Sequence, residues 1–155
     1  MKLHAILKNE TVADVGYFKP VKVQEGKNMR AAVKRMRKGK SGCLLILKGR
    51  KLTGIFTERD FLTRILLTEE DLALPIANFM TPNPTVARID EPIYRVLARM
   101  YAGGMRHLPV LGKRGRPIGT ISVGQVAYFL ADLHPTMVYN LPPDHARYPS
   151  AREGG

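Results

Sequence analysis

The stretch Gly54-Ile55-Phe56-Thr57-Glu58-Arg59-Asp60 decides the fold, because a related stretch follows as Gly119-Thr120-Ile121-Ser122-Val123-Gly124-Gln125. The two are separated by 119 minus 54, or 65, residues. At the same offset Val21 matches Val86, and the order of predicted elements agrees around both stretches. Self-similarity at a fixed offset is typical of a repeat, so the chain is predicted to consist of two related units.

Each unit is predicted to begin with a short extended piece and a helix. The extended pieces cover residues 20–23 and 84–86. Each helix carries one apolar stripe at the spacing i, i+3, i+4 and i+7, which is typical of a helix with one buried face. The stripes are Met29, Ala32, Val33 and Met36 in the first unit and Ile93, Val96, Leu97 and Met100 in the second.

Two strands and a last helix complete each unit. The strands are expected over 43–47 and 52–56, and again over 107–111 and 118–121. Each unit is therefore β-α-β-β-α, and a unit of roughly 60 residues buries only a modest core alone. We predict an α/β (α+β) fold in which the two repeats pack sheet to sheet.

Four segments are expected along the chain. They are an N-terminal segment over 1–10, a first repeat over 11–73, a second repeat over 74–133 and an extended C-terminal tail over 134–155. Leu74-Pro75-Ile76 marks the linker between the repeats. The tail contains several prolines and few large aliphatic residues, so we expect an extended segment that is open to folding against a partner chain.

The charge of the chain is one-sided. Twenty-five basic and thirteen acidic residues give a net charge of +12. Between Lys19 and Lys51 twelve basic residues accompany one acid, Glu25, which leaves +11 in that segment. Such a field attracts anions: phosphate-rich ligands, nucleic acid or an acidic partner.

Part of this charge lies on the first predicted helix, opposite its apolar stripe. The residues are Arg30, Lys34, Arg37 and Lys38. The face is either solvated or a surface that contacts the phosphates of nucleic acid or an acidic partner. No recognised nucleic-acid motif and no interleaved aromatic residues accompany it.

The sequence contains few signs of redox, membrane or catalytic chemistry. Cys43 is the only cysteine and lies in an apolar run, so we expect a buried free thiol. No apolar run has the roughly 18 residues that a membrane span needs, and we expect a cytoplasmic protein without membrane contact. Phosphate-binding loops, nucleophile elbows and metal-ligand spacings are absent, so we expect no enzyme, no catalytic residue and no metal site.

Thr57 and Asp60 admit two interpretations. Ser or Thr followed three residues later by an acidic or amide residue is typical of a helix capping box, and Ser122 with Gln125 fits the same rule. Alternatively, the Asp60 carboxylate accepts hydrogen bonds from a ribose while backbone N–H groups at the helix start attract phosphate. The two roles are compatible, because Thr57 can cap the helix while Asp60 faces a ligand.

The repeated series of motifs resembles the CBS-domain pair, the tandem domain named after cystathionine β-synthase. The resemblance covers Val12 to Leu133 and includes Asn78-Phe79-Met80-Thr81-Pro82 and Met105-Arg106-His107-Leu108-Pro109-Val110. It implies a stand-alone regulatory protein that binds AMP, ADP, ATP or S-adenosylmethionine in clefts between the repeats, forms a homodimer and controls a partner protein. No other cofactor is implied.

The resemblance also implies which residues line the clefts. Thr57, Arg59 and Asp60 match the ribose and phosphate positions of the first motif, and Gly42, Cys43 and Leu44 match an adenine pocket. Thr85, His107 and Pro109 match further cleft positions, and Ser122 and Gln125 form the second motif. His107 either stacks on a base or touches a phosphate, or is a strand residue bonded to a backbone carbonyl.

Gln125 departs from the family pattern, which has Asp at this position. A neutral amide has one acceptor oxygen and no charge, so the loss of one charge-assisted hydrogen bond costs about 1–2 kcal/mol. The second cleft is therefore expected to bind weakly, to stay empty or to take another ligand. The sequence favours an adenosine-ligand sensor, and the alternatives are a nucleic-acid-binding protein and a ligand-free dimeric scaffold.

Overall fold

The structure is a computed structural model that describes residues 3–64 and 68–133. Two short helices come first, α1 (Leu3–Asn9) and α2 (Val12–Val15). The first repeat forms β1 (Lys22–Gln24), α3 (Met29–Lys38), β2 (Cys43–Lys48), β3 (Lys51–Thr57) and α4 (Glu58–Arg64). A connection of α5 (Glu69–Ala73), a 3-10 turn (Ile76–Asn78) and β4 (Thr81–Pro82) follows. The tail predicted over 134–155 lies outside the described residues.

The second repeat has the same elements as the first. They are β5 (Ala87–Arg88), α6 (Ile93–Gly103), β6 (His107–Leu111), β7 (Pro117–Ser122) and α7 (Val123–Leu133). The predicted β-α-β-β-α order is therefore confirmed for both repeats. The extended piece expected over 84–86 was placed too early, because pairing begins with Ala87 opposite Val110. Proline lacks a backbone N–H, so Pro84 cannot donate to a strand ladder.

The strands form two mixed sheets. The first has the order β1-β2-β3-β4 and the second has the order β5-β6-β7. In each sheet the first strand pairs in parallel with the next, and the remaining pairs are antiparallel. A parallel pair needs a crossover connection, which α3 and α6 provide.

Helix α3 follows the predicted apolar stripe. The Asn28 side chain accepts a hydrogen bond from the Ala31 N–H at 2.9 Å, which caps the helix start. Met29, Ala32 and Met36 are buried against the first sheet, and Val33 is partly buried beside them. The charged face of the helix therefore points away from the core.

Each core is completed by a segment from outside its own repeat. Val12 of α2 is fully buried in the second core, where its N–H donates to the Glu91 carbonyl at 3.0 Å. Ile76 is fully buried in the first core, where its N–H donates to the Lys27 carbonyl at 2.8 Å. Both cores thus extend across the segment limits expected at residues 11 and 74, and those limits stay a prediction.

Two glycines of the repeated stretch make room for the crossing segments. A Cβ on Gly54 would lie 2.2 Å from the Met80 Sδ. A Cβ on Gly119 would lie 2.2 Å from the Tyr17 Cδ2 and 2.7 Å from the Phe18 carbonyl oxygen. A side chain at Gly119 would collide with the backbone of the crossing segment, and one at Gly54 would force the Met80 side chain to move, which favours glycine at both equivalent positions.

The sheet faces without helices are also buried. Cys43, Leu45 and Ile55 are buried on that face of the first sheet. On the second sheet Pro109 and Thr120 are opposite each other and buried, on the side away from the helix-covered core. Two helix-free faces can both lose contact with water when they cover each other, as the predicted sheet-to-sheet packing requires.

We expect Ile76→Ala to destabilise the protein by about 2–5 kcal/mol, because it removes a fully buried side chain from the first core and leaves a cavity. Leu74→Ala is the matched control, since Leu74 lies two residues earlier and is 42% exposed. Urea unfolding followed by circular dichroism measures both. Equal losses in the two variants would show that Ile76 does not complete the first core.

Candidate functional site

Thr57 and Asp60 form a capping box at the start of α4. The Thr57 N–H and hydroxyl donate to the Asp60 Oδ2 at 2.9 and 3.0 Å. In return the Asp60 N–H donates to the Thr57 Oγ1 at 3.2 Å. The capping role inferred from the sequence is therefore present, and it fixes the Asp60 carboxylate, which is half-buried, at the end of strand β3.

The start of strand β2 lies beside this helix start. The Glu58 N–H donates to the Gly42 carbonyl at 3.0 Å. A Cβ on Gly42 would lie 3.3 Å from the Glu58 Oε2, so glycine lets this carboxylate lie close to the backbone. The backbone of Gly42 and the side chains of Glu58 and Asp60 thus lie close together where β3 passes into α4.

Cys43 and Leu44 place their side chains on opposite faces of strand β2. The Cys43 thiol is buried on the face between the sheets, and burial together with the nearby Asp60 charge raises its pKa to about 12. The Leu44 side chain is fully buried on the opposite face, in the first core. A ligand at this point would therefore meet only the backbone of Leu44.

The second repeat contributes His107 to the same region. Burial is the main cause that lowers the pKa of His107, and the charge of Arg106 lowers it further. The Glu58 carboxylate opposes this shift across the boundary between the repeats. His107 is half-buried at the start of β6, so both repeats contribute to the electrostatics of the first cleft.

Three other residues that are expected to line a cleft lie at separate positions. Pro109 is buried between the sheets, and Thr85 is exposed between β4 and β5. Arg59 is exposed on α4, where its carbonyl accepts a hydrogen bond from the Thr63 hydroxyl at 2.7 Å. Contact of these three residues with a ligand stays a prediction.

The second motif is arranged like the first. The Gln125 N–H donates to the Ser122 Oγ at 3.1 Å, and the Val123 N–H donates to the Arg106 carbonyl at 3.0 Å. The buried Gln125 Oε1 has no hydrogen-bond partner among the residues that the structure describes. Its Nε2 lies 4.0 Å from the Cβ position of Gly16. A buried acceptor without a donor costs about 1–3 kcal/mol, so this amide is poorly satisfied.

The basic face of α3 carries less free charge than the sequence indicates. Arg30 forms an ion pair with Glu69 of α5, which packs beside α3. Lys34, Arg37 and Lys38 are exposed. The repeat pattern does not predict the Arg30–Glu69 pair, because α5 belongs to the connection between the repeats.

Glu58 is the cleft residue that the sequence did not single out. Its N–H bonds Gly42 of the same repeat, and its carboxylate acts on His107 of the other. The equivalent residue in the second stretch is the apolar Val123, so the similarity of the two repeats does not point to Glu58. The only indication of its role in the sequence is that it directly follows Thr57.

Within residues 3–64 and 68–133, no group of three His, Cys, Asp or Glu side chains is arranged to hold a metal ion. The helices in these ranges are all too short or too polar to cross a membrane.

Two β-α-β-β-α repeats that exchange short segments define a tandem-repeat α/β module. A family model described as CBS domain matches residues 12–67 and 76–132, which together are most of the chain. The chain belongs to the CBS-domain family.

Known proteins agree with this assignment. The CBS domain-containing protein CBSCBSPB3 of Arabidopsis thaliana is 32% identical over 124 residues, which are 79% of this chain but only 21% of that protein. The chain therefore spans about a fifth of that relative's length.

Solved structures share the fold. The CBS domain pair of protein MJ0100, in complex with 5'-methylthioadenosine and S-adenosyl-L-methionine, matches with a TM-score of 0.70 at 23% identity, over 80% of this chain and 98% of that chain. PAE2072 from Pyrobaculum aerophilum, complexed with AMP, matches with a TM-score of 0.68 at 19% identity, over 82% of this chain and 100% of that chain.

We expect native Cys43 to resist thiol reagents at about pH 8, because only the thiolate reacts and its pKa is raised to about 12. The reaction with a chromogenic disulfide, followed by absorbance, measures this. The same protein unfolded in guanidinium is the control and should react at the rate of a free cysteine. Equally fast labelling of the native protein would mean that the thiol is open to solvent.

Proposed function

We propose that the protein is a ligand-sensing regulatory module that binds an adenosine-containing nucleotide between its two repeats. The observation that carries this proposal is the Asp60 carboxylate, held by Thr57 at a helix start beside the backbone of Gly42. A fixed carboxylate is a suitable acceptor for ribose hydroxyls. Similar folds bind related ligands: MJ0100 binds 5'-methylthioadenosine and S-adenosyl-L-methionine, and PAE2072 binds AMP.

The surroundings of Asp60 favour a nucleoside that carries little negative charge. Glu58 and Asp60 place two carboxylates at one side of the cleft, which disfavours a long chain of phosphates directly against them. His107 supplies a half-buried ring from the opposite repeat. We therefore place AMP and S-adenosylmethionine ahead of ADP and ATP as ligands of this cleft.

The second cleft is proposed to be the weaker one. Gln125 offers one neutral acceptor where the first cleft offers a carboxylate, and its Oε1 is buried. A ligand must first reach this buried oxygen, and its hydrogen bond there lacks the assistance of a charge. We expect one nucleotide per chain at ligand concentrations that saturate the first cleft.

Regulation is proposed to act through contacts between chains. Apolar side chains project from the outer helices, where Leu62, Tyr101 and Tyr128 are 80%, 90% and 78% exposed. Exposed aromatic and aliphatic groups favour association, and we propose a homodimer whose shape depends on the nucleotide. Because the first cleft lies between the repeats, a ligand there changes their relative orientation and hence the surface that a partner protein contacts.

We expect Asp60→Asn to weaken AMP binding by about tenfold or more, because a charge-assisted hydrogen bond to the ribose becomes a neutral one. Isothermal titration calorimetry measures the Kd and the number of sites, after absorbance has shown that no nucleotide co-purified. Asp71→Asn is the matched control, since Asp71 forms the same kind of capping box with Thr68 away from the cleft.

The two variants separate ligand binding from capping. Both should lose a similar amount of stability in thermal unfolding, while only Asp60→Asn should lose AMP. If Asp60→Asn binds AMP as tightly as Asp71→Asn does, Asp60 has only the capping role. If the unmodified protein binds none of AMP, ADP, ATP and S-adenosylmethionine, the proposed function is wrong.

A further inference from the structure

A second concave site lies at the other end of the two sheets. It is a pocket of about 520 Å³ between the β1 edge, helix α3, the β2–β3 turn and the β6–β7 turn. Five basic side chains line it: Lys22, Lys27, Arg35, Arg50 and Arg116. Four come from the first repeat and Arg116 comes from the second, so this pocket also depends on how the repeats pack.

The positive charge of this pocket is uncompensated. None of its lining residues is acidic. Within the described part of the chain none of the five cations forms an ion pair, and the neighbouring acid Glu25 pairs instead with Lys48 at 3.6 Å. Like charges that converge on one concavity repel each other, which costs stability unless an anion binds there.

Both turns that carry the arginines are held in place. The Gln24 side chain forms two hydrogen bonds of 3.0 Å with the backbone of Gly49, next to Arg50. The Arg116 carbonyl accepts a hydrogen bond from the Gly112 N–H at 2.9 Å, which closes the β6–β7 turn. Gly49 adopts a φ of 61°, a conformation that favours glycine. The backbone of the pocket is therefore fixed before any ligand binds.

This pocket is separate from the nucleotide cleft. Arg50 precedes strand β3, and Thr57 is its last residue. At about 3.3 Å per residue the two ends of this strand are about 20 Å apart. Arg116 precedes strand β7 in the same way, while Ser122 ends it. A nucleotide held at Asp60 cannot place its phosphates among these arginines.

We propose that this pocket binds a chain of linked phosphates, from either a nucleoside triphosphate or inorganic polyphosphate. Guanidinium groups bind phosphate oxygens through paired hydrogen bonds, and three arginines line this site. A single phosphate carries too little charge to neutralise five cations, whereas three linked phosphates carry several negative charges. The volume suits a small ligand and not a protein surface.

Calorimetric titration with inorganic tripolyphosphate at near-physiological salt tests the proposal. We expect one site per chain, and about tenfold or greater weakening in the double variant Arg50→Gln with Arg116→Gln. The matched control is Lys51→Gln with Arg114→Gln, which removes the same charge from the same two turns outside the pocket lining. All four residues are exposed, so we expect both variants to fold.

The control variant decides whether the site is specific. Equal weakening in both double variants would overturn the proposal, since the general positive field would then account for binding. Absence of tripolyphosphate binding to the unmodified protein would also overturn it. If ATP competes with tripolyphosphate on the unmodified protein, and if Arg50→Gln with Arg116→Gln weakens ATP binding, a nucleoside triphosphate is one source of the linked phosphates. Tripolyphosphate binding without such competition would support inorganic polyphosphate.

The nucleotide cleft is tested in the same experiment. Tripolyphosphate should bind equally well to Asp60→Asn and to protein saturated with AMP, because the two sites share no residue. If Asp60→Asn abolishes tripolyphosphate binding, the phosphates bind in the cleft and the separate pocket is overturned. If neither AMP nor S-adenosylmethionine binds and ATP binds only through Arg50 and Arg116, while tripolyphosphate still binds, the proposed nucleotide function fails and the pocket stands.

Discussion

The exchange of short segments between the two repeats is the constraint on which the structure depends. Val12 completes the second core and Ile76 completes the first, and both are fully buried. The segments can reach these positions because Gly54 and Gly119 leave space where any side chain would collide with Met80 or Tyr17. Neither repeat therefore has a complete core alone, and burial of apolar surface ties the two sheets together.

The same packing creates the site. Both stretches end a strand in the helix-starting motif, so each repeat presents a helix N-terminus near the boundary with the other. The chemistry of the two is unequal: Asp60 is a carboxylate held by Thr57, while Gln125 is an amide with a buried oxygen that lacks a donor. The fold thus supplies two similar frames, and their acceptor groups differ in charge.

The local patterns were sufficient to predict most of the fold. The stripe Met29, Ala32 and Met36 is buried as its spacing requires, and both central hairpins lie close to their expected positions. The elements that the sequence did not predict correctly depend on tertiary structure or on a local exception. Helices α2 and α5 are too short to show a period, and Pro84 delays the fifth strand.

The site was less predictable than the fold. The capping box of Thr57 and Asp60 follows from its spacing, but the influence of Glu58 on His107 joins residues from different repeats. The pocket of five cations joins residues from 22 to 116, and the sequence showed only that basic residues are abundant in its first third. Contacts of this kind depend on the packing of one repeat against the other, which no local pattern contains.

A crystal structure of the protein grown with AMP would show directly whether Asp60 holds a ribose. We expect one nucleotide per chain, with both ribose hydroxyls bonded to the Asp60 carboxylate and the base between the two repeats, near Gly42 and His107. Nucleotide density at the Gln125 cleft alone, or at a surface remote from both motifs, would contradict it.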